Sequence, residues 1–354
     1  MKKYFAAGAI ICSAFSFVTL SVIEGFAQDI HFSQYNLTPL VINPAQAGAY
    51  KNLQLIANYK SQWTSIDPEA YKTFMFAYDG RFMQKKWKDS WLGLGTNIYS
   101  DKAGDGKMGT LQASFDFGYH TTLNEQNTLG GALMVGFTQR SIDYSKLTWD
   151  EQYQNGTYTA ANLTGEEALQ GNNKFGYPDV GLGILHQFKK GEMYSAANDQ
   201  FIVHTGLALF HLNKPKYSFY GTDEKLYTKM IAHTEVLIGI KNTNFSLMPG
   251  ILYMKQGPSS ELLPGMYFRY MLREESKFTG YVKGAAVLIG THLRTKDAFI
   301  PSIQLEVAEY TLGISYDMNI SGLKTATSGK GGIEISLRFG NPNPFLYKSA
   351  ASFQ

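Results

Sequence analysis

Residues 109–120, GTLQASFDFGYH, alternate almost without interruption. Leu111, Ala113, Phe115, Phe117 and Tyr119 fall on one face, and Gln112, Ser114, Asp116, Gly118 and His120 on the other. A period of two is the mark of a β-strand with unlike faces. The same pattern recurs along the chain and predicts fourteen strands, near 53–60, 71–82, 91–100, 109–119, 128–140, 178–188, 201–211, 230–240, 246–255, 262–272, 278–292, 298–307, 309–318 and 331–339. Most run about 9–12 residues, longer than the usual globular strand and suited to tilted strands that cross a bilayer. Helical periods are nearly absent, and no linker or low-complexity tract divides the chain, so a single domain is expected.

What the apolar faces touch decides the fold class. A soluble β-sandwich buries its aromatic face and has no use for so many long strands. A closed transmembrane barrel wants the reverse, with apolar residues outward and polar ones toward the lumen. The last predicted strand, GGIEISLRF (331–339), fits: Ile333, Ile335, Leu337 and Phe339 face one way, and Glu334, Ser336 and Arg338 the other. The two opposite charges on the second face need water or each other. Aromatic residues gather near strand ends (Tyr59, Trp63, Trp87, Trp91, Tyr99, Tyr119, Trp149, Phe188) and are read as interfacial girdles. Pro249, Pro264 and Pro301 are expected at or near strand starts, because proline cannot donate to a ladder. The expected fold is therefore all-β, an antiparallel outer-membrane β-barrel of about fourteen strands.

Connection lengths give an orientation. If the first strand leaves the periplasm, the outer connections include the long ones, 141–177, 212–229 and 319–330, and the periplasmic ones include KNTN (241–244), REESK (273–277) and a turn at Glu309. Short periplasmic turns with longer outer loops are the bacterial pattern. The connection 189–200 is the exception. At the N-terminus, Lys2 and Lys3 precede a long apolar stretch, and Gly25 and Ala27 suit a cleavage site, so 1–27 reads as a signal peptide. Residues 28–52 then form an N-terminal plug or periplasmic segment, 53–340 the barrel and 341–354 a C-terminal periplasmic tail.

Composition narrows function more than fold. The net charge of +3 offers no case for a nucleic-acid partner, while 14% aromatic residues and 35 glycines suit a β-rich membrane chain. The lone cysteine, Cys12, lies in the leader. His31, His120, His186, His204, His211, His233 and His292 form no H-E-x-x-H motif, and no metal site is expected. SDKAGDGKMG (100–109) lacks the acidic third position and closing Glu of a calcium loop and reads as a Gly-rich outer hairpin. SGKGG (328–332) is not a phosphate loop, and no G-x-S-x-G elbow occurs. No catalytic residue, cofactor or enzymatic activity is expected.

The segment before the first strand, QDIHFSQYNLTPLVINPAQAGAY, is too apolar to leave in water and matches neither strand nor amphipathic helix. It is expected to pack into the periplasmic mouth or lumen. Here the chain resembles a family. DIHFSQYNLTPLVINPAQAG followed by YKSQW (59–63) is similar to the opening of PorP/SprF proteins of the type IX secretion system and gliding machinery of Bacteroidota. Further matches keep their order: YPDVGLGILHQF (177–188), ALFHLNKP (208–215), LMPGILYMKQGPSSEL (247–262), YTLGISYDMNISGL (310–323) and GGIEISLRFG (331–340). Asp29-Ile30 stands where the family often has Asp-Pro, and of its frequent His-Glu pair in the last strand only Glu334 is kept.

The resemblance implies a non-enzymatic integral outer-membrane barrel. Its partners would be secretion-system components, or a large secreted adhesin with a C-terminal sorting domain, besides outer-membrane lipid. The family-motif or plug residues are Phe32, Ser33, Gln34, Tyr35, Asn43, Pro44 and Ala45. Partner-docking positions in the outer loops are Trp149, Lys214, Lys216, Tyr217, Phe219 and Tyr220. An interfacial girdle with snorkelling lysines accounts equally well for KPKYSFYG (214–221). The alternative function is a FadL-like hydrophobic-compound transporter or porin, because Asn43-Pro44-Ala45 also resembles the hatch of those fourteen-stranded channels.

Overall fold

The computed structural model describes residues 29–64, 69–84, 86, 87, 89–165, 173–191, 198–219, 223–274, 283–322 and 324–341. The strands are β1 (Leu53–Gln62), β2 (Tyr71–Phe82), β3 (Ser90–Ala103), β4 (Met108–Thr122), β5 (Asn127–Ser141), β6 (Tyr153–Gln154), β7 (Thr157–Tyr158), β8 (Lys174–Lys190), β9 (Phe201–Phe210), β10 (Lys229–Gly239), β11 (Phe245–Gln256), β12 (Ser259–Arg273), β13 (Ala285–Arg294), β14 (Ala298–Val307), β15 (Tyr310–Asn319) and β16 (Lys330–Asn341). All except β6 and β7 pair with their neighbours into one closed antiparallel barrel of fourteen strands. β1 and β16 complete it, in a register from Leu53↔Asn341 to Gln62↔Gly332. Closure leaves no edge and gives every strand two ladders, which is what a bilayer demands of a sheet.

The barrel is inside-out relative to a soluble protein. On β4, Phe115 and Phe117 are 58% and 55% exposed, whereas Asp116 between them is 1% exposed. On β16, Ile333, Ile335 and Leu337 are exposed while Glu334 and Ser336 are buried. Apolar side chains therefore form the outer wall and polar ones the lumen wall. Two ends can be distinguished. The turn end carries Leu53 and Asn341, the start of β1 and the end of β16. The loop end carries the β5–β8 connection, in which β6 and β7 form a small hairpin, and the β9–β10 connection.

The prolines differ from expectation. Pro249, Pro264 and Pro301 lie inside β11, β12 and β14 rather than at their starts, and Pro178 lies inside β8. Each keeps one ladder and interrupts or borders the other. Pro249 pairs with Met266 on β12, but the β10–β11 register skips from Glu235↔Gly250 to Ile238↔Leu247. Pro301 pairs with Thr291, while the β14–β15 register skips from Phe299↔Met318 to Ser302↔Ser315. One missing N–H per proline accounts for the two unpaired positions at each site. Pro264 sits just outside the part of β12 paired to β13, and Pro178 lies further outside the part of β8 paired to β9, which begins at Leu182. The strands read through the prolines because their other ladder is intact.

Two further differences concern β13 and the girdles. β13 starts at Ala285, not near 278, and residues 275–282 lie outside the described residues. Trp91 and Tyr99 are not interfacial: both point into the lumen and are buried, unlike the outward Tyr59 and Tyr119. The hairpin at 104–107 between β3 and β4 occupies the site of the calcium-loop look-alike, with Gly104 and Lys107 at positive φ.

Candidate functional site

The lumen holds the chain's own N-terminal segment, residues 29–52, and local sequence explains its shape. Pro39 occupies the first turn of a short helix, Pro39–Ile42, where its missing N–H costs nothing. Asn43 then caps a 3-10 turn, Pro44–Gln46, its side chain accepting from the Ala45 N–H at 2.9 Å. A chain folded into such short turns leaves many backbone groups unsatisfied, so the lumen wall must satisfy them.

It does so along the whole length of the segment. At the loop end, Asp29 Oδ2 meets His211 Nε2 at 2.6 Å and Lys229 Nζ at 3.7 Å, and the other ring nitrogen of His211 meets Asp179 at 2.9 Å. Burial opposes the charge of Asp29, but Lys229 and His211 outweigh it and hold the carboxyl well below the usual range. Burial also opposes the charge of His211, and the adjoining Asp29 and Asp179 overcome it, pushing the imidazole up to about 9. His31 behaves oppositely. Burial first, then the nearby Arg294, Lys60 and Lys229, drive its pKa well down. Its Nδ1 lies 3.6 Å from Glu261.

One turn further along the segment, Glu334 and Asp317 grip the backbone and hydroxyl of Ser33. Ser33 N–H donates to Glu334 at 2.7 Å, its hydroxyl donates to Asp317 at 2.7 Å, and Gln34 N–H donates to Glu334 at 3.1 Å. Arg294 reaches the same hydroxyl at 2.9 Å and Asp317 at 3.1 Å, while Lys60 reaches the His31 carbonyl at 3.1 Å. The lumen-facing Glu334 therefore binds the plug rather than Arg338, which bonds to Thr311 at 3.0 Å. Charges buried at this depth persist only when fully paired.

In the middle, Asn43 Nδ2 donates to the Ile184 carbonyl at 2.9 Å and lies 3.2 Å from His233 Nε2. Tyr35 stacks edge-on against His292 at 5.4 Å. At the turn end, the Gly48 N–H donates to Asp79 at 2.9 Å, Trp91 Nε1 donates to the Gly48 carbonyl at 2.9 Å, and His120 Nε2 lies 2.8 Å from the Ala47 carbonyl. Glycines open the wall for these approaches. A Cβ added at Gly93 would overlap the Ala47 carbonyl oxygen, one at Gly183 the Asn43 side chain, and one at Gly313 the Gln34 side chain.

The motif residues Phe32, Ser33, Gln34, Tyr35, Asn43, Pro44 and Ala45 are all buried in this passage, although they are spread over fourteen positions of sequence. The strand residues that receive them were not evident from sequence. Glu334, Asp317, Asp79, Trp91, His120, His211 and His233 each occupied an ordinary inward position. Beside the plug toward the turn end lies a cavity of about 470 Å³, lined by residues that include Tyr50, His204, Glu235, Met248 and Arg338.

The outer-loop positions do not converge on one patch. Tyr217 and Phe219 pack against Phe175, with ring centroids 5.5 and 4.7 Å apart, and Tyr217 lies 6.0 Å from Tyr177 and beneath Arg140. This aromatic cluster joins the β9–β10 connection to the start of β8. Lys214 is exposed, and Lys216 is exposed and paired with Asp223 at 2.6 Å. Trp149 is half-buried in the β5–β8 connection, near Tyr144, and its backbone N–H donates to the Gln152 side-chain oxygen at 3.2 Å. Tyr220 lies outside the described residues.

Several solved structures show a distant similarity to the chain. The chain is similar to the Ralstonia pickettii toluene transporter TbuX (TM-score 0.45, 9% identity, 86% of this chain and 94% of that one). It is also similar to a Pseudomonas aeruginosa FadL homologue (TM-score 0.43, 9% identity, 84% and 92%). The translocator domain of the Neisseria meningitidis autotransporter NalP follows at a TM-score of 0.32 and 13% identity, covering 86% and 93%. No curated relative matches the sequence. The model of the type IX secretion system membrane protein PorP/SprF family matches residues 24–339, which takes in the buried plug and every barrel strand but the last two residues of β16. The chain belongs to the PorP/SprF family of type IX secretion system membrane proteins and is an integral outer-membrane β-barrel.

Proposed function

We propose that this barrel is a closed, non-enzymatic docking component of the type IX machinery. It would hold a secreted adhesin with a C-terminal sorting domain at the cell surface, or link the outer membrane to periplasmic secretion components. The observation that carries this reading is the plug. A lumen filled by residues 29–52, with the motif residues buried and the segment anchored along its length, leaves little room for a solute path. Interaction then falls to the two ends. With the turn end in the periplasm, the loop end presents the β5–β8 and β9–β10 connections outward, including Trp149, Lys214 and Lys216, and the aromatic cluster under Tyr217 and Phe219 stiffens their base.

The test is co-purification from detergent-solubilised outer membrane followed by mass spectrometry. The expected result is recovery of a sorting-domain protein or a secretion component, lost when residues 144–165 are replaced by a short Gly/Ser turn. Recovery of neither, together with substrate-dependent growth loss on deletion, would replace this reading by transport of a small molecule through the cavity beside the plug.

A further inference from the structure

The outer wall of a bilayer-spanning barrel is expected to be apolar below its rim, and at the loop-end edge of that wall charged side chains gather between β2 and β3. On the lipid-facing side of β2 and β3, Lys72 and Lys102 stand directly opposite each other as cross-strand partners. Both are exposed, and Lys107, also exposed, closes the group from the adjoining turn. Like charges in directly opposed positions destabilise a sheet. Below them, Tyr59 and Phe74 are themselves cross-strand partners with half-exposed rings. These five residues and Glu69 line a cleft of about 280 Å³. Its upper wall is fixed, because the Gly104 N–H donates to the Glu69 carbonyl at 2.9 Å and ties the β3–β4 turn to the β1–β2 connection. Among the described residues lining the cleft, Lys72, Lys102 and Lys107 outnumber the single acidic residue Glu69, and Lys107 also lies beside Lys146 and Asp143.

An ammonium cluster above an aromatic floor, at the loop-end edge of the apolar band, matches an amphiphile whose head is anionic and whose tails run down the wall. We propose that the cleft between β1, β2 and β3 binds the phosphorylated sugar head of an outer-leaflet glycolipid. Lys72, Lys102 and Lys107 hold the phosphate, and Tyr59 and Phe74 seat the first carbons of the acyl chains. The volume suits a phosphorylated sugar and is too small for a whole lipid, whose tails stay in the membrane. The proposal rests on the loop end facing outward, as in the functional reading above.

The test is native mass spectrometry of the full chain released from detergent after equilibration with bisphosphorylated lipid A. The comparison arms are dephosphorylated lipid A and inorganic phosphate. Loss of the charge-assisted bonds to the phosphate predicts a drop of about tenfold or more in lipid A retention for the triple variant Lys72→Gln/Lys102→Gln/Lys107→Gln. Lys255→Gln, an exposed loop-end lysine on β11, should bind as the parent does. Retention by the triple variant equal to that of the parent would overturn the proposal, as would equal binding of the dephosphorylated lipid. Full displacement by millimolar phosphate would show a simple anion site instead and overturn it as well. If the triple variant fails to form a heat-modifiable barrel, the single Lys107→Gln change in the turn carries the same test, with partial loss expected and no loss refuting. Recovery of the exported partner should be unaffected in all these variants, so the two readings fail separately.

Discussion

Replacing Gly93 by alanine tests the plug with a single methyl group. Gly93 faces the lumen on β3, and its missing side chain is where Ala47 of the plug passes. An added Cβ would overlap the Ala47 carbonyl oxygen and stand 2.8 Å from its carbon, with His120 Nε2 at 3.0 Å on the other side. Carbon atoms in favourable contact are about 3.5–4.0 Å apart, so the plug must retreat by about 1 Å. That retreat strains or breaks the contacts that hold this end: His120 with the Ala47 carbonyl, Trp91 with the Gly48 carbonyl and the Gly48 N–H with Asp79. Overpacking costs about 1–3 kcal/mol, and each lost hydrogen bond about 0.5–1.5 kcal/mol. Local docking should therefore weaken by at least about 2 kcal/mol, which is roughly thirtyfold in the population of the undocked plug. Hydrogen exchange read by mass spectrometry on peptides covering 44–50 should show that gain, while peptides from β8–β16 keep their protection. Gly131→Ala is the control, because a Cβ there meets only the Gly183 carbonyl at 3.9 Å. Unchanged exchange at 44–50 in Gly93→Ala, or an equal change in Gly131→Ala, would refute the account of how the plug is seated.

Other consequences are as direct. Glu334→Gln keeps the shape of the side chain but removes the charge that accepts from Ser33 and Gln34; charge-assisted bonds are worth about 1.5–3 kcal/mol, so exchange at 32–35 should rise at least tenfold with the barrel intact. The Asp29–His211 contact has a pH window. The raised His211 pKa means that its contribution is complete below the ordinary histidine range and is lost as pH climbs through about 9, while the depressed pKa of Asp29 keeps that side charged throughout. A spin label at Ile30→Cys should loosen between pH 7 and 10 and, in His211→Gln, should be mobile at both; a label equally immobile at pH 10 would contradict this, with Asp179 and Lys229 the other groups facing the pair. On the outer wall, Phe117→Arg should cost about 2–4 kcal/mol in bilayer stability by urea titration, because an arginine near the midplane meets hydrocarbon. A neutral result would mean that this face is not in lipid.

How much of this could be read from sequence varies with the physics of each part. The strands were plain because a membrane wall imposes a strict two-residue alternation over a long span, and the pattern GTLQASFDFGYH on β4 contains the whole argument. Proline placement departs from the sequence rule because a missing donor affects one ladder of a strand and not both. At Pro249 and Pro301 a strand survives the loss of one bond when its other neighbour stays paired. Trp91 and Tyr99 are lumen residues and not girdle residues, because position near a strand end says nothing of which face a ring takes. Parity would have settled it: Trp91 shares its face with Asn97, not with Leu92. For the plug, its apolar residues signal burial, while its short turns go unread although Pro39 and the Asn43 cap are local signals. Sequence could not give the receiving residues, because the contact of Ser33 with Glu334 spans three hundred positions.

One signal of the filled lumen was nevertheless present in the strands. A water-filled channel wants polar inward positions throughout. Here Ile56, Met75, Ile231, Leu252, Leu263 and Ile300 share faces with polar lumen residues and are buried. They form two apolar patches, one around Tyr35 and Ile42 of the plug and the other around Phe32, Leu40 and Ala47. Leaving such side chains in lumen water would cost about 1.5–3 kcal/mol each, so the barrel wall is complementary to an apolar occupant and not to solvent. The polar groups set register, as Ser33 between Asp317, Glu334 and Arg294 does, and the apolar patches supply the drive to dock. It follows that Ile56→Ser and Ile231→Ser should each free the plug more than they weaken the wall. Exchange should rise at residues 30–49 before it rises in β1 or β10, and simultaneous loss in plug and strands would mean that these residues hold the barrel itself.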